Sequence, residues 1–175
     1  MMQDLNQEIK PLSRSEKINL GTTEISKRIR KQLKQEFKGC EFSIRTSLYS
    51  GGSSINISLI KADFKVIKDL SKITEKALFN YTEVDGLRTR EDIKRLQEDK
   101  HHQLNEYGLR EEYDEDKWCN GVFLTEKGHN LFKRIIEIVD LYNYNDSDPQ
   151  TDYFNVNFYL HLNIGKWDKT FIEVI

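Results

Sequence analysis

Residues 41–61 read EFSIRTSLYSGGSSINISLIK. Apolar and polar residues alternate on both sides of Ser50-Gly51-Gly52-Ser53, the pattern of two strands joined by a tight turn whose glycines supply positive φ. One side of the expected hairpin carries Phe42, Ile44, Leu48, Ile55, Ile57 and Leu59. The other carries Ser43, Arg45, Ser47, Tyr49, Asn56 and Ser58.

Upstream, Ile25, Ile29, Leu33 and Phe37 recur at steps of four and predict a helix with one apolar stripe. Thr22 or Thr23 is its expected cap, and Gly39 ends it. Residues 1–20 show no clear period and read as a flexible N-terminal segment ahead of a single domain over 21–175. Downstream, residues 63–80 suit one or two short helices. Thr89 is the expected cap of another, with Ile93, Leu96 and Leu104 inward. Thr125 caps a third, whose Leu131, Phe132, Ile135, Ile136, Ile138, Val139 and Tyr142 make an apolar face wide enough for central packing. Residues 155–164, NVNFYLHLNI, alternate strictly and predict a half-buried strand beside the hairpin. The fold class is therefore α+β: an antiparallel sheet, hairpin 41–61 plus strand 155–164, packed on one face by helices.

The expected outer face of that sheet is polar and nearly uncharged: Ser43, Arg45, Ser47, Tyr49, Asn56, Ser58, Asn157, Tyr159, His161 and Asn163. A merely solvated face carries more Lys and Glu. Ser, Asn, Tyr and Arg suit directional hydrogen bonds and stacking, as at protein interfaces or single-stranded nucleic-acid platforms, so Arg45, Tyr49, Asn56, Tyr159 and His161 are candidate partner-binding residues, weighed against a plain exposed face or one covered by the N-terminal segment. The net charge of −2 conceals a polarity: residues 1–100 hold 20 Lys and Arg against 15 Asp and Glu, and residues 101–175 hold 7 against 14. Glu111, Glu112, Asp114 and Asp116 form an acidic candidate patch for a basic partner. Lys27, Arg28, Arg30, Lys31 and Lys34 on the first long helix, used together with the same polar sheet face, offer the rival reading, a nucleic-acid-binding module; a solvated helix face is the bland one.

Catalytic signatures are missing from the sequence. There is no phosphate-binding glycine loop and no nucleophile elbow. The adjacent His101 and His102 would point about 100° apart on a helix, and Cys40 and Cys119 lack partners at zinc-ligand spacing. Asp146, Asp148 and Asp152 lack the Gly and final Glu of a calcium loop. Asp152, Lys166 and Asp168 have no spacing that supports nuclease chemistry. No enzyme activity, metal or cofactor is expected. The start lacks an apolar leader, no run approaches a membrane span, and two cysteines suit a reducing compartment, so the expected location is cytoplasmic. Gly165-Lys166-Trp167-Asp168 reads as a strand exit with Trp167 packed back onto the domain.

The helix over Ile25–Phe37, Phe42-Ser43-Ile44-Arg45 and Tyr49-Ser50-Gly51-Gly52-Ser53 together resemble the large polyvalent protein-associated domains of phages, plasmids and conjugative elements. The resemblance covers residues 21–62; Lys38 stands where a Pro is common. It implies a mobile-element accessory protein with no assigned catalysis. In that setting it implies a counter-defence role of the anti-CRISPR type, with a host nuclease protein or ribonucleoprotein as partner.

Overall fold

The computed structural model describes residues 11–69, 71, 96, 98, 100–114, 123–148, 150–151 and 155–174. Two helices open it, α1 (Arg14–Asn19) and α2 (Thr22–Glu36). The hairpin follows as β1 (Glu41–Tyr49) and β2 (Gly52–Ala62). Next come β3 (His102–Leu104), α3 (Glu106–Arg110) and α4 (Glu126–Asp140). Then β4 (Tyr159–Ile164) and β5 (Ile172–Glu173) close the described chain.

The sheet order is β1-β2-β4-β3, with β5 also on β2. β1 pairs antiparallel with β2, and β3 with β4, as a hairpin and a neighbouring edge would. β4 and β5, however, both run parallel to β2. The all-antiparallel sheet expected from the sequence is thus corrected to a mixed one in an α+β fold. The reason is connectivity: the chain leaves β2 and returns by a long crossover that includes α4, the kind of connection parallel neighbours need. Strand β4 also begins at Tyr159 rather than Asn155; before it, Val156 makes only an isolated bridge to Asn145.

Register fixes the faces. Ile44 lies opposite Ile57, which lies beside Leu162; Phe42 opposite Leu59, beside Ile164. This apolar face meets Ile25, Ile29 and Leu33 of α2 and the broad stripe of α4, all buried in one core. Each such fully buried side chain contributes about 1.5–3 kcal/mol relative to exposure. Leu48, expected inward, is 71% exposed; it lies on the edge strand at the turn end of the hairpin, opposite the small Ser53.

Capping shows both agreement and correction. Thr125 caps α4: its hydroxyl accepts from Gly128 N at 3.0 Å and donates to Lys65 O at 2.7 Å. Helix α2 instead takes Gly21 as its N-cap, without a side-chain bond, and the Thr22 hydroxyl pairs with Ser53 Oγ at 2.8 Å. Leu104 is buried as expected, but in strand β3 rather than a helix, and His102 is in the same strand. The short helices expected over 63–80 do not begin where the sequence suggested: residues 63–69 are irregular, with Ile67 in an isolated bridge to Leu124. The rest of that span, apart from residue 71, and the expected Thr89 cap with Ile93 lie outside the described residues. Of the segment read as a tail, residues 14–19 form α1, capped by Ser13, and Lys17 Nζ donates to Asp140 O at 2.9 Å and Asn143 O at 2.7 Å.

Candidate functional site

The polar face is built on the central strand. Arg45 lies opposite Asn56, and Asn56 lies beside His161, so the three form one row across β1, β2 and β4. The next row is Ser47, Ser54 and Tyr159, and Tyr49 stands opposite Gly52 at the turn. Because paired residues share a face, Arg45, Tyr49, Asn56, Tyr159 and His161 all point to the side away from the core. Tyr49 is 49% and Tyr159 41% exposed. The Tyr49 hydroxyl donates to Ser53 O at 3.3 Å, and its ring lies over Gly52, where a Cβ would come 3.2 Å from the ring. Asn157 departs from the expected face: it precedes β4, and its amide donates to Lys17 O and Tyr142 O, both at 3.1 Å.

One feature of this face was not anticipated. Between β4 and β5 the chain leaves the sheet at Gly165, whose N–H donates to Leu59 O at 2.8 Å. Gly165 has φ +61, and a Cβ there would meet Lys100 O at 2.1 Å, so only glycine fits. Lys166 and Lys169 then exchange two backbone hydrogen bonds of 3.0 Å, which makes Trp167-Asp168 a two-residue turn. Asp168 lies 3.1 Å from Lys166 Nζ and 3.8 Å from Arg45 Nη2, and Lys169 Nζ pairs with Glu41. Arg45 and Glu41 belong to β1, on the far side of β2, so the turn arches over the central strand. Ser58 and Ile60 of the central strand are both buried.

Trp167 sits at the crown of the arch and is 82% exposed. The expectation that it packs back onto the domain is therefore wrong; the turn spends its fixed contacts on its feet and points the indole outward. The Lys166 ammonium, hydrogen-bonded to Asp168, holds that carboxyl below its ordinary range, with Arg45 adding to the effect. Among the described residues paired here, Asp168 and Glu41 face Arg45, Lys166 and Lys169, two carboxylates to three cations.

The other candidate groups are placed elsewhere. Glu111, Glu112 and Asp114 follow α3 and are exposed; Glu112 pairs with Lys133 of α4 at 2.5 Å, on the helix side of the sheet. The Lys133 contact lowers the Glu112 carboxyl. Asp116 lies outside the described residues, as do Cys119 and Asp152. Lys27, Arg28, Arg30, Lys31 and Lys34 are exposed on the outer side of α2, whose inner side covers the apolar face. Arg28 lies 3.4 Å from Glu24, and Arg30 donates to Ile44 O of the edge strand at 2.7 Å, blunting that edge. The basic helix and the polar sheet face thus look in opposite directions and do not make one surface.

Among the described residues no group of His, Cys, Asp and Glu is arranged to hold a metal ion. Asp146 is ion-paired with Arg14 at 2.6 Å, and Asp148 accepts from Gln150 N at 2.9 Å, both structural contacts of the loop. Among them, too, no helix is long and apolar enough to cross a membrane.

A sequence profile described as large polyvalent protein associated domain 29 matches residues 20–114, which include α2, the β1–β2 hairpin, β3 and α3. The chain belongs to that family. This agrees with the resemblance carried by the helix and hairpin, and it marks the chain as a protein associated with phages and mobile elements. No curated protein and no solved structure matches it. The matched span ends before β4 and the Trp167 turn, so Tyr159 and His161 of the polar face lie outside it.

Proposed function

We propose that this chain is a non-enzymatic binding protein of a mobile element that docks on a host defence nuclease complex and inhibits it, in the manner of an anti-CRISPR protein. The observation that carries the reading is the gathering of Arg45, Tyr49, Asn56, Tyr159 and His161 on the sheet face opposite the apolar one, with Arg45, Tyr49 and Tyr159 exposed. Aromatic and Arg side chains in such a setting are the residues that dominate protein interfaces. Family membership supplies the setting, an element that must survive inside a host. Glu111, Glu112 and Asp114 add a second, negative surface on the helix side, suited to the basic groove of a nucleic-acid enzyme. Action would be in the host cytoplasm, where such complexes work.

The rival reading, phosphate contact by Lys27, Arg28, Arg30, Lys31 and Lys34 together with the polar face, draws less support, since the two surfaces face apart. The test is plasmid interference in hosts carrying defined CRISPR nucleases. The chain should restore plasmid uptake in at least one, and with the purified complex inhibition should saturate at stoichiometric amounts, without turnover. Unchanged interference across the panel, or inhibition at trace amounts, would refute the proposal.

A further inference from the structure

Trp167 is a large apolar surface set in water on a turn that is otherwise fully braced. Its 82% exposure comes with backbone bonds on both flanks, a conformation at Gly165 that only glycine fits, and ion pairs from Asp168 and Lys169 to β1. Nothing within the described chain uses the indole. Tyr159 lies on the same face beside Ser54, and the arch springs from the sheet opposite Leu59, five residues along β2 or roughly 17 Å. Between them lies a floor of Arg45, Asn56 and His161. Flat rings separated by hydrogen-bonding groups, with cations Arg45, Lys166 and Lys169 outnumbering Asp168 and Glu41, match one kind of ligand well.

We infer that this face binds a single strand of nucleic acid, with one base stacked on Trp167, another on Tyr159, and Arg45 and Lys169 toward the phosphates. Base faces are free for stacking only in unpaired strands, and stacking on aromatic side chains carries much of the affinity of such platforms. A duplex hides those faces and would gain only the small cationic excess. The inference deepens the reading above only in naming what the face touches on a ribonucleoprotein target: an exposed strand of it.

Fluorescence titration with a twelve-residue oligothymidylate tests it, using the Trp118→Phe variant so that Trp167 is the sole tryptophan. Quenching that saturates is expected, weakening about fourfold between 50 and 200 mM salt, as for one or two phosphate contacts. In an anisotropy assay with labelled oligothymidylate, Trp167→Ala should weaken binding about tenfold. Trp167→Phe should recover part of it, and Lys31→Ala with Lys34→Ala should leave it unchanged. Absence of quenching, equal affinity for duplex, or an emission shift that follows protein concentration without oligonucleotide, the mark of a second copy on the face, would each overturn the inference. No nuclease is present, so failure here leaves the inhibition proposal standing, and failure of inhibition leaves strand binding intact.

Discussion

Arg45 of β1 and Asp168 of the turn after β4 lie 3.8 Å apart, across the full width of β2. The contact is loose and solvent-exposed, so its worth in stability is small. Its role is positional: with Lys166 it holds the Trp167 turn over the sheet rather than beside it.

That hold is pH-dependent. The folded protein lowers the Asp168 carboxyl, first through Lys166 and then through Arg45. A depressed carboxylate contributes above its unfolded value, near 4, and the contribution is lost as pH falls through the lower folded value. Amide exchange at Lys166 and Lys169, corrected for intrinsic rates, should be flat above about pH 5 and faster below about pH 4. Glu41, lowered by Lys169, titrates in the same sense. In a Glu41→Gln background the step should persist, and Asp168→Asn should remove it.

Gly165→Ala strikes the root of the arch. Its φ of +61 and the 2.1 Å approach of a Cβ to Lys100 O combine a left-handed penalty with a backbone clash. Thermal or urea unfolding should show a loss of about 2–4 kcal/mol. A loss below about 0.5 kcal/mol, the range of neutral surface changes, would mean that the chain leaves the sheet differently.

Cys40 should be a poor nucleophile. Burial, with Asp63 nearby, pushes its thiol up to about 11. At pH 8 the native protein should alkylate at Cys40 at least tenfold more slowly than the urea-unfolded chain, read by peptide mass mapping. Equal rates would show that the thiol is open and its surroundings are not those described.

Much of the architecture was legible in residues 41–61. Two-residue alternation and the Ser-Gly-Gly-Ser turn fixed the hairpin's faces, and Arg45 and Tyr159 do share the outer one. The stripes of α2 and α4 were equally readable, since Ile25, Ile29, Leu33 and Leu131 to Val139 follow a helical period. Strand direction was not, because alternation is the same read from either end; the parallel entry of β4 is set by the crossover. The exposed Trp167 runs against the general tendency of large aromatic residues to go inside. The signal against it was present: a glycine closing a strict alternation, followed by Lys-Trp-Asp-Lys, puts charge on both flanks of the indole and a turn beneath it.

The polar face as docking surface is the claim on which the functional account rests. The direct measurement is inhibition of a responsive nuclease complex by two variants of equal expression and unchanged melting: Arg45→Ala with Tyr159→Ala on the face, and Lys31→Ala with Lys34→Ala on the far side of the molecule. The face variant should lose at least tenfold in inhibitory potency while the helix variant stays within twofold of the parent. A face variant as potent as the parent, or a loss confined to the helix variant, would contradict the account.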